Sequence, residues 1–237
     1  MCDTCGCGDR EIVAVDVNER ILAGNERTAA HNREHFRKAG VVAVNLMGSP
    51  GAGKTAVLEA TACGLATARI GALAGDLATD NDAMRLRAAG ITAESITTGS
   101  TCHLDAAMVH RALHHVAWHT LDYLFIENVG NLVCPAIYDL GQDANVVALS
   151  VTEGEDKPLK YPVMFRNADL VLITKVDLLP YLPDVRVEAI VANLGRVMPR
   201  PRCLVLSART GEGVPQWASW LTALRSTPNR VAVEAHR

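Results

Sequence analysis

The chain has 237 residues, of which 49% are hydrophobic and 21% charged, and its formal net charge is −3. This length and composition are typical of a globular protein with a sizeable core, and they exclude disordered and collagen-like chains. The small net charge provides no electrostatic footprint for nucleic acid or for an anionic membrane. No apolar run is long enough to span a membrane and the first residues contain no signal core, so we expect a cytoplasmic protein.

The N-terminal residues form a short arm rich in cysteine and glycine. Cys2, Cys5 and Cys7 lie in a stretch without hydrophobic periodicity, so we expect residues 1–17 to be flexible. Three thiolates this close together can capture a transition metal ion. The alternative is a redox-active pair, although such pairs normally open a helix in a folded unit. The spacing therefore favours a metal site.

The next stretch predicts a helix over residues 18–39. Its apolar positions, among them Ile21, Leu22 and Phe36, are scattered between polar residues, and Gly40 follows as a stop signal. We expect this helix to pack on a main domain of residues 40–226, with residues 227–237 as a C-terminal tail.

Short apolar runs alternate with helical stretches beyond residue 40. This alternation predicts an α/β fold, in which a mostly parallel sheet is buried on both faces and flanked by helices. The predicted strands are residues 41–46, 70–74, 121–126, 145–151, 170–174 and 204–206.

Residues 48–55 read GSPGAGKT and lie between the first predicted strand and a helical stretch. They match the phosphate-binding pattern GxxxxGK[ST] in the context that it requires. Glycines let successive backbone N–H groups point at a phosphate, Lys54 reaches the β- and γ-phosphates, and the Thr55 hydroxyl ligates Mg²⁺. The predicted phosphate contacts are Gly48, Ser49, Gly51, Ala52, Gly53, Lys54, Thr55 and Ala56.

Acidic residues follow two of the predicted strands. Asp76 and Asp80 come after residues 70–74, and Glu127 ends the strand 121–126. Carboxylates at the carboxyl ends of parallel strands lie where open α/β sheets bind ligands, and Gly130 can place a backbone N–H on the γ-phosphate. We expect magnesium to be held by Thr55, Asp76, Asp80 and Glu127, and catalysis to depend on Lys54, Thr55, Asp76 and Glu127.

Two further motifs predict guanine as the base. Thr174, Lys175 and Asp177 form TKVD, and residues 207–209 read SAR; both are similar to the base-recognition motifs of GTPases. Asp177 can accept from the ring N1–H and the exocyclic amine of guanine, which adenine does not offer. Because Thr174 replaces the commoner Asn, we expect a shorter or lost hydrogen bond and weaker nucleotide affinity. The predicted base contacts are Thr174, Lys175, Asp177, Ser207, Ala208 and Arg209.

We recognise neither a water-positioning Gln nor an arginine finger in the sequence. Hydrolysis at such a site depends on positioning and on neutralising charge on the transferred group. We therefore expect slow intrinsic turnover by a protein that works as a switch.

A second group of metal-ligating residues lies on the predicted switch loops. Cys102 and His103 form one pair, and Cys134 follows Glu127 in the same segment. Two thiolates and an imidazole suit Ni²⁺ or Zn²⁺ and leave one coordination position open. The alternative is that these cysteines are small buried residues, which is what we expect of Cys63 and Cys203.

Histidines recur at helical spacing. His31 and His35 form one pair in the N-terminal helix, and two more pairs fall in a helix predicted over residues 104–120. A pair four residues apart can chelate a metal, but the amphipathic pattern favours solvated side chains. The two further pairs are His110 with His114 and His115 with His119.

In order and spacing, these motifs resemble the HypB family, the nickel-insertion GTPases of [NiFe]-hydrogenase maturation within the SIMIBI class of P-loop G proteins. The resemblance covers nearly the whole chain, including the arm CxxCGC and the segments GDLATDND, ENVGNLVCP and SVTEGEDKPLKYP. It implies a GTP-dependent homodimer that hydrolyses GTP to GDP and phosphate. It also implies Ni²⁺ or Zn²⁺ at Cys2, Cys5 and Cys7 and at Cys102, His103 and Cys134.

The resemblance further implies that nickel is delivered to the hydrogenase large-subunit precursor with a HypA-like accessory protein. Two features depart from relatives in this class. Residues 8–39 contain only His31 and His35, so we expect no histidine-rich nickel store, and Ser49 stands where related switches carry a second lysine. A lysine acting on a partner would then be Lys157 or Lys160. The alternatives are a urease-type accessory G protein and a redox or metal-storage protein with a regulatory nucleotide site.

Overall fold

The computed structural model describes residues 9–99 and 101–226, and for residues 9–21 it describes the backbone only. The described part contains seven strands in one sheet, in the order β3-β2-β4-β1-β5-β6-β7, and every neighbouring pair is parallel. The predicted α/β fold is confirmed. The strands are β1 Val42–Met47, β2 Ile70–Asp76, β3 Thr92–Thr97, β4 Tyr123–Glu127, β5 Ala144–Ser150, β6 Leu170–Thr174 and β7 Cys203–Leu206.

Helices cover both faces of the sheet, as parallel strands require. On one face Trp217 packs with the phosphate-loop helix and the central strands, and on the other Phe36 packs with Val41 and Leu124. The described helices are α1 Asp9–Ala39, α2 Lys54–Gly64, α3 Asn81–Ala88, α4 Ala106–Leu113, α5 Lys157–Lys160, α6 Pro162–Arg166, α7 Val187–Val197 and α8 Val214–Ser226. Among the described residues no helix is both long and apolar enough to cross a membrane.

The N-terminal helix is longer than the pattern predicts. It begins at Asp9 rather than at residue 18, because residues 9–17 contain neither Gly nor Pro and continue the same helix. Asn25 anchors it to the domain by donating to the carbonyl of Asp139 at 2.7 Å and accepting from the amide of Ala106 at 2.8 Å. The predicted tail, residues 227–237, lies outside the described residues.

Two other elements differ from the sequence prediction. The edge strand β3 was not predicted, because its sequence TAESIT offers two buried apolar positions and no continuous apolar run. The helix predicted over residues 104–120 ends at Leu113, and a separate short 3-10 turn follows at Trp118–Thr120. His115 and His119 therefore lie beyond α4.

Candidate nucleotide cleft and metal centre

A cleft of about 520 Å³ lies at the carboxyl ends of the central strands. Strand β1 is hydrogen-bonded to both β4 and β5, so the cleft opens where the order of strands reverses, which is the usual ligand position in such sheets. It is lined by Pro50, Gly51, Gly53, Lys54, Thr55, Ala56, Gly75, Asp76, Leu77, Asp82, Arg85, Glu127, Asn128, Val129, Gly130 and Lys175.

The phosphate loop leads from β1 into α2, which begins at Lys54. Gly51 and Gly53 have φ values of 75° and 91°, in the left-handed region that favours glycine. Position 130 must also be glycine, because a Cβ there would lie 2.8 Å from the side chain of Pro50. Backbone amides therefore come close to the space that a phosphate would take.

The Lys54 ammonium is held beneath the loop. Its Nζ donates to the carbonyl oxygens of Gly48 and Ser49 at 3.3 and 3.2 Å. Burial lowers the pKa of Lys54, and the nearby carboxylate of Glu127 opposes that change. A cation kept in so little water interacts strongly with an anionic ligand, which suits a phosphate site.

Thr55 contacts two carboxylates at once. Its Oγ1 lies 2.8 Å from Asp82 Oδ1 and 2.7 Å from Glu127 Oε1, although one hydroxyl proton can serve only one of them. Glu127 is 3% exposed, and burial raises its pKa to about 7. Its Oε2 is buried and has no hydrogen-bond partner among the described residues. An all-oxygen set with an unsatisfied carboxylate oxygen fits Mg²⁺.

The predicted acids Asp76 and Asp80 do not join this set. Asp76 lines the cleft, but its Oδ1 accepts from the amides of Ala78 and Thr79 at 3.0 and 3.3 Å. Asp80 is exposed, precedes α3 and is not among the residues that line the cleft. The sequence interpretation missed Asp82 because the choice between the acids of GDLATDND depends on how α3 is turned toward Thr55.

The TKVD motif is tied to the phosphate loop. Thr174 is 2% exposed, and its hydroxyl donates to the carbonyl of Ala52 at 2.6 Å, so Thr in place of Asn still makes a hydrogen bond here. Lys175 has a φ of 60°, and its Nζ donates to the carbonyl of Gly51 at 2.6 Å. These contacts set the position of the motif relative to the phosphate site.

The remaining predicted base contacts follow β6 and β7. Ser207 is buried, and its hydroxyl donates to Asp177 Oδ1 at 2.6 Å. Ala208 is partly buried against the core, whereas Arg209 is exposed. The structure thus brings Asp177 and Ser207 together, and Lys175 connects them to the cleft.

Cys102, His103 and Cys134 form a compact cluster. The Sγ atoms of the two cysteines are 3.1 Å apart, and the ligand atoms of all three residues lie within 4.8 Å of one another. The His103 ring stacks on Tyr138 with centroids 3.9 Å apart. The contact with Cys102, together with burial, raises the pKa of Cys134. The three predicted ligands are in place for one borderline-soft ion.

The other cysteines lie apart from this cluster. Cys63 is exposed, so the expectation that it belongs to the core is wrong: it lies near the end of α2, on a face that the sheet does not cover. Cys203 is half-buried at the start of β7, and burial raises its pKa. Cys2, Cys5 and Cys7 lie outside the described residues.

Several charged residues of the site already have partners in this chain. Arg85, which the sequence interpretation did not single out, lines the cleft and donates to Glu59 Oε2 at 2.9 Å. Lys157 lies 3.5 Å from Glu153, and the Nζ of Lys160 lies 2.7 Å from an oxygen of Asp156. A role for either lysine in a partner's site stays a prediction.

One short segment joins the cleft to the cysteine cluster. Asn128 follows Glu127, and its Oδ1 accepts from the backbone amide of Leu104 at 3.1 Å. Its Nδ2 donates to Asn45 Oδ1 in β1 at 3.2 Å. Further along, Asn131 pairs with Gly48 of the phosphate loop in an isolated antiparallel bridge. Residues 127–134 therefore connect the phosphate loop, the Thr55 hydroxyl and the cysteine cluster.

Comparison with known proteins agrees with this geometry. The family described as CobW/HypB/UreG, nucleotide-binding domain, matches residues 42–200. The hydrogenase maturation factor HypB of Azotobacter chroococcum mcd 1 is 48% identical over 224 residues, which cover 94% of this chain and 73% of that protein.

Two solved structures are also similar. The crystal structure of HypB from Archaeoglobus fulgidus superposes with a TM-score of 0.79 at 42% identity, covering 86% of this chain and 100% of that one. HypB from Helicobacter pylori in complex with nickel has a TM-score of 0.81 at 39% identity, covering 85% and 95%. The chain therefore belongs to the CobW/HypB/UreG family of P-loop nucleotide-hydrolysing proteins and, within it, to the HypB hydrogenase maturation factors.

Proposed function

We propose that this chain is a GTP-hydrolysing metallochaperone whose nucleotide state controls a nickel or zinc ion at Cys102, His103 and Cys134. The observation that carries the proposal is the shared segment of residues 127–134. It begins with Glu127, which contacts Thr55 in the cleft, and ends with Cys134, which contacts Cys102. A change at one end of so short a segment alters the geometry at the other.

The choice of GTP rests on Asp177. Its carboxylate can accept from both N–H donors on the guanine edge, whereas adenine presents an acceptor and a single amine there. The Ser207 hydroxyl already orients one of its oxygens at 2.6 Å. A site built to accept two hydrogen bonds rejects a base that lacks them, because its polar groups would be left unpaired.

Hydrolysis depends on residues that position the triphosphate. In this proposal the amides of the phosphate loop and the Lys54 ammonium bind its oxygens, and Thr55, Asp82 and Glu127, which meet at the Thr55 hydroxyl, hold magnesium. Magnesium, when bound, neutralises charge on the β- and γ-phosphates. Arg85 is engaged by Glu59, so no arginine in the described cleft is free to stabilise the transferred group. We accordingly propose slow intrinsic turnover.

The same segment supplies a route for coupling. A γ-phosphate that accepts from the Gly130 amide would pull on residues between Glu127 and Cys134. The Cys134 sulfur would then move relative to Cys102, which belongs to a different loop. Metal affinity and nucleotide affinity would change by the same factor, as linkage requires.

We further propose a GTP-dependent homodimer in the cytoplasm that passes nickel to the hydrogenase large-subunit precursor with a HypA-like accessory protein. Three ligands leave a coordination position open for a donor from a second chain or from the receiving protein. The names of the relatives as hydrogenase maturation factors support that recipient.

A metal titration tests the proposal. Cys2, Cys5 and Cys7 are first replaced by Ser so that the N-terminal arm contributes no thiolate ligands. The reduced protein is then titrated with Ni²⁺ in GDP and in a non-hydrolysable GTP analogue, each with Mg²⁺. We expect at least a fivefold difference in Ni²⁺ affinity between the two states, corresponding to the lower range of allosteric coupling.

Two variants act as reference. In Cys102→Ser/Cys134→Ser the nucleotide-sensitive site should be lost, while Cys63→Ser/Cys203→Ser, which removes two thiols outside the cluster, should keep it. Equal Ni²⁺ affinity in both nucleotide states would contradict the proposed control of metal binding by the nucleotide. Hydrolysis of ATP as efficiently as GTP would contradict the assignment of guanine as the base.

A further inference from the structure

Four histidines from two helices meet on the surface of the domain. His31 and His35 lie one turn apart on α1, while His110 lies on α4 and His114 directly follows it. The ring centroids are 4.3 Å apart for His31 and His35, 5.2 Å for His31 and His110, 6.0 Å for His35 and His110, and 5.4 Å for His110 and His114. We name these four residues the histidine cluster.

These four centroid separations bracket the spacing expected of imidazoles that share one ion. With metal–nitrogen bonds of about 2.0–2.1 Å, each ring centre lies about 3.2 Å from a bound ion, and two tetrahedral ligands have centres about 5 Å apart. Among the described residues, only the Cys102 group has three ligand atoms already within 4.8 Å. The rings of the histidine cluster would therefore turn about their side-chain bonds on binding.

A buried asparagine orients one of the four histidines. Asn32 is 0% exposed, and its Nδ2 donates to the carbonyls of Ala106 and Leu140 at 2.9 and 3.2 Å. Its Oδ1 is then an acceptor, and it lies 3.0 Å from Nδ1 of His110. His110 must carry its proton on Nδ1, which leaves the Nε2 lone pair for a ligand. Metal-binding histidines are commonly oriented by such a second hydrogen bond.

The histidine cluster lies at the surface, where imidazole nitrogens can ligate an ion. His31 and His114 are exposed, so an ion can enter from solvent. Nitrogen ligands select a transition ion over Mg²⁺ or Ca²⁺.

We propose that His31, His35, His110 and His114 form a further transition-metal site, which takes a borderline divalent ion such as Ni²⁺ or Zn²⁺ and clamps α1 to α4. Its ligands are distinct from Cys102, His103 and Cys134. An ion bound there holds the helix that follows the N-terminal arm against the nucleotide-binding domain.

The first test counts the metal bound by the chain of residues 1–237. Protein is saturated with Ni²⁺, freed of excess by gel filtration and analysed for metal and for protein. The variant His31→Gln/His114→Gln, which changes two exposed side chains, should bind one equivalent fewer than the unaltered chain. The matched control His115→Gln/His119→Gln, which changes two exposed histidines outside the cluster, should bind the same number.

The second test measures affinity without competing thiolates. Cys2, Cys5, Cys7, Cys102 and Cys134 are replaced by Ser, and this chain is titrated calorimetrically with Ni²⁺ or Zn²⁺ alone. We expect one binding event, weakened at least tenfold by His31→Gln/His114→Gln, and a rise of the melting temperature with metal that the same variant abolishes. Equal stoichiometry and affinity in that variant, or an equal loss in the control, would overturn the proposal.

Discussion

The backbone amide of Leu104 donates to Oδ1 of Asn128 at 3.1 Å, and both residues are buried. This bond joins the loop that carries Cys102 and His103 to the strand end that carries Glu127. The same side chain is tied to Asn45 of β1 through its Nδ2 at 3.2 Å. Asn128 thus links β1, which leads into the phosphate loop, to the two segments that carry the cysteine cluster.

We expect Asn128→Ala to make metal affinity independent of which nucleotide is bound. The substitution leaves the Leu104 amide buried without its acceptor, which costs about 1–3 kcal/mol of unfolding free energy. It also frees the Cys102 loop from β4. Nickel affinity should then differ less than twofold between the GDP state and the GTP-analogue state, as measured by titration. The control Asn193→Ala, which breaks a bond to the Glu155 carbonyl away from the cleft, should keep the difference.

The carboxylates around Thr55 predict a contrast between two neighbouring acids. Asp82 contacts Thr55 at 2.8 Å, whereas Asp80 is exposed and does not line the cleft. Asp82→Asn should lower magnesium-dependent nucleotide hydrolysis by about 10- to 100-fold, the usual effect of disturbing the surroundings of a metal. Asp80→Asn should change it less than twofold. Steady-state rates over a range of Mg²⁺ concentrations decide the matter, and the reverse order of effects would mean that α3 is turned differently in the working state.

Base recognition gives a third expected outcome. Asp177→Asn replaces an acceptor by a donor opposite the guanine N–H groups and disturbs the bond from Ser207 at 2.6 Å. GTP affinity should fall by about 100-fold or more, while xanthosine triphosphate, whose edge carries a carbonyl in place of the amine, should bind better than GTP. Competition against a fluorescent nucleotide measures both constants. Asp184→Asn, which changes an exposed acid on the following loop, provides the control and should leave the order of the two nucleotides unchanged.

Asp122 predicts how stability depends on pH. Its carboxylate accepts hydrogen bonds from the Arg69 side chain at 3.0 Å, from the Arg69 backbone amide at 2.8 Å and from the Arg225 side chain at 2.7 Å. These donors hold the pKa of Asp122 well below its usual range. Because its pKa is lower in the folded state than in the unfolded state, Asp122 stabilises the fold at any pH above the unfolded pKa of about 3.9. This stabilisation is lost as the pH falls from that value toward the folded pKa.

Asp122→Asn should therefore lower the unfolding free energy by about 1–3 kcal/mol at pH 7, a range kept modest because both arginines are partly exposed. The difference from the unaltered chain should shrink below about pH 4. Urea unfolding at several pH values measures it. A difference that stayed constant down to pH 2 would show that the ion pairs are not its source.

Local motifs could be predicted because their residues are contiguous. GSPGAGKT needs only a strand before it and a helix after it, and the sequence alone places both. The same holds for TKVD after β6 and for the apolar runs that became buried parallel strands. Strand β3 escaped prediction because an edge strand with an exposed side lacks a continuous apolar run.

Contacts between distant segments were decided only by the tertiary structure. Whether Asp80 or Asp82 faces Thr55 depends on the rotation of α3, and the hydrogen bond of Thr174 depends on how close β6 brings it to Ala52. Cys63 is exposed because of the face of α2 on which it lies. None of these relations leaves a periodic signal in the sequence.

The histidine pairs show the same division. The sequence by itself determined that His31 and His35 share a helix face, because four residues make about one turn, and it predicted the same of His110 and His114. Only the packing of α1 on α4 brought the two pairs together and placed Asn32 beneath them. Spacing within a helix follows from backbone geometry, whereas the meeting of two helices is set by the whole hydrophobic core that lies between them and the sheet.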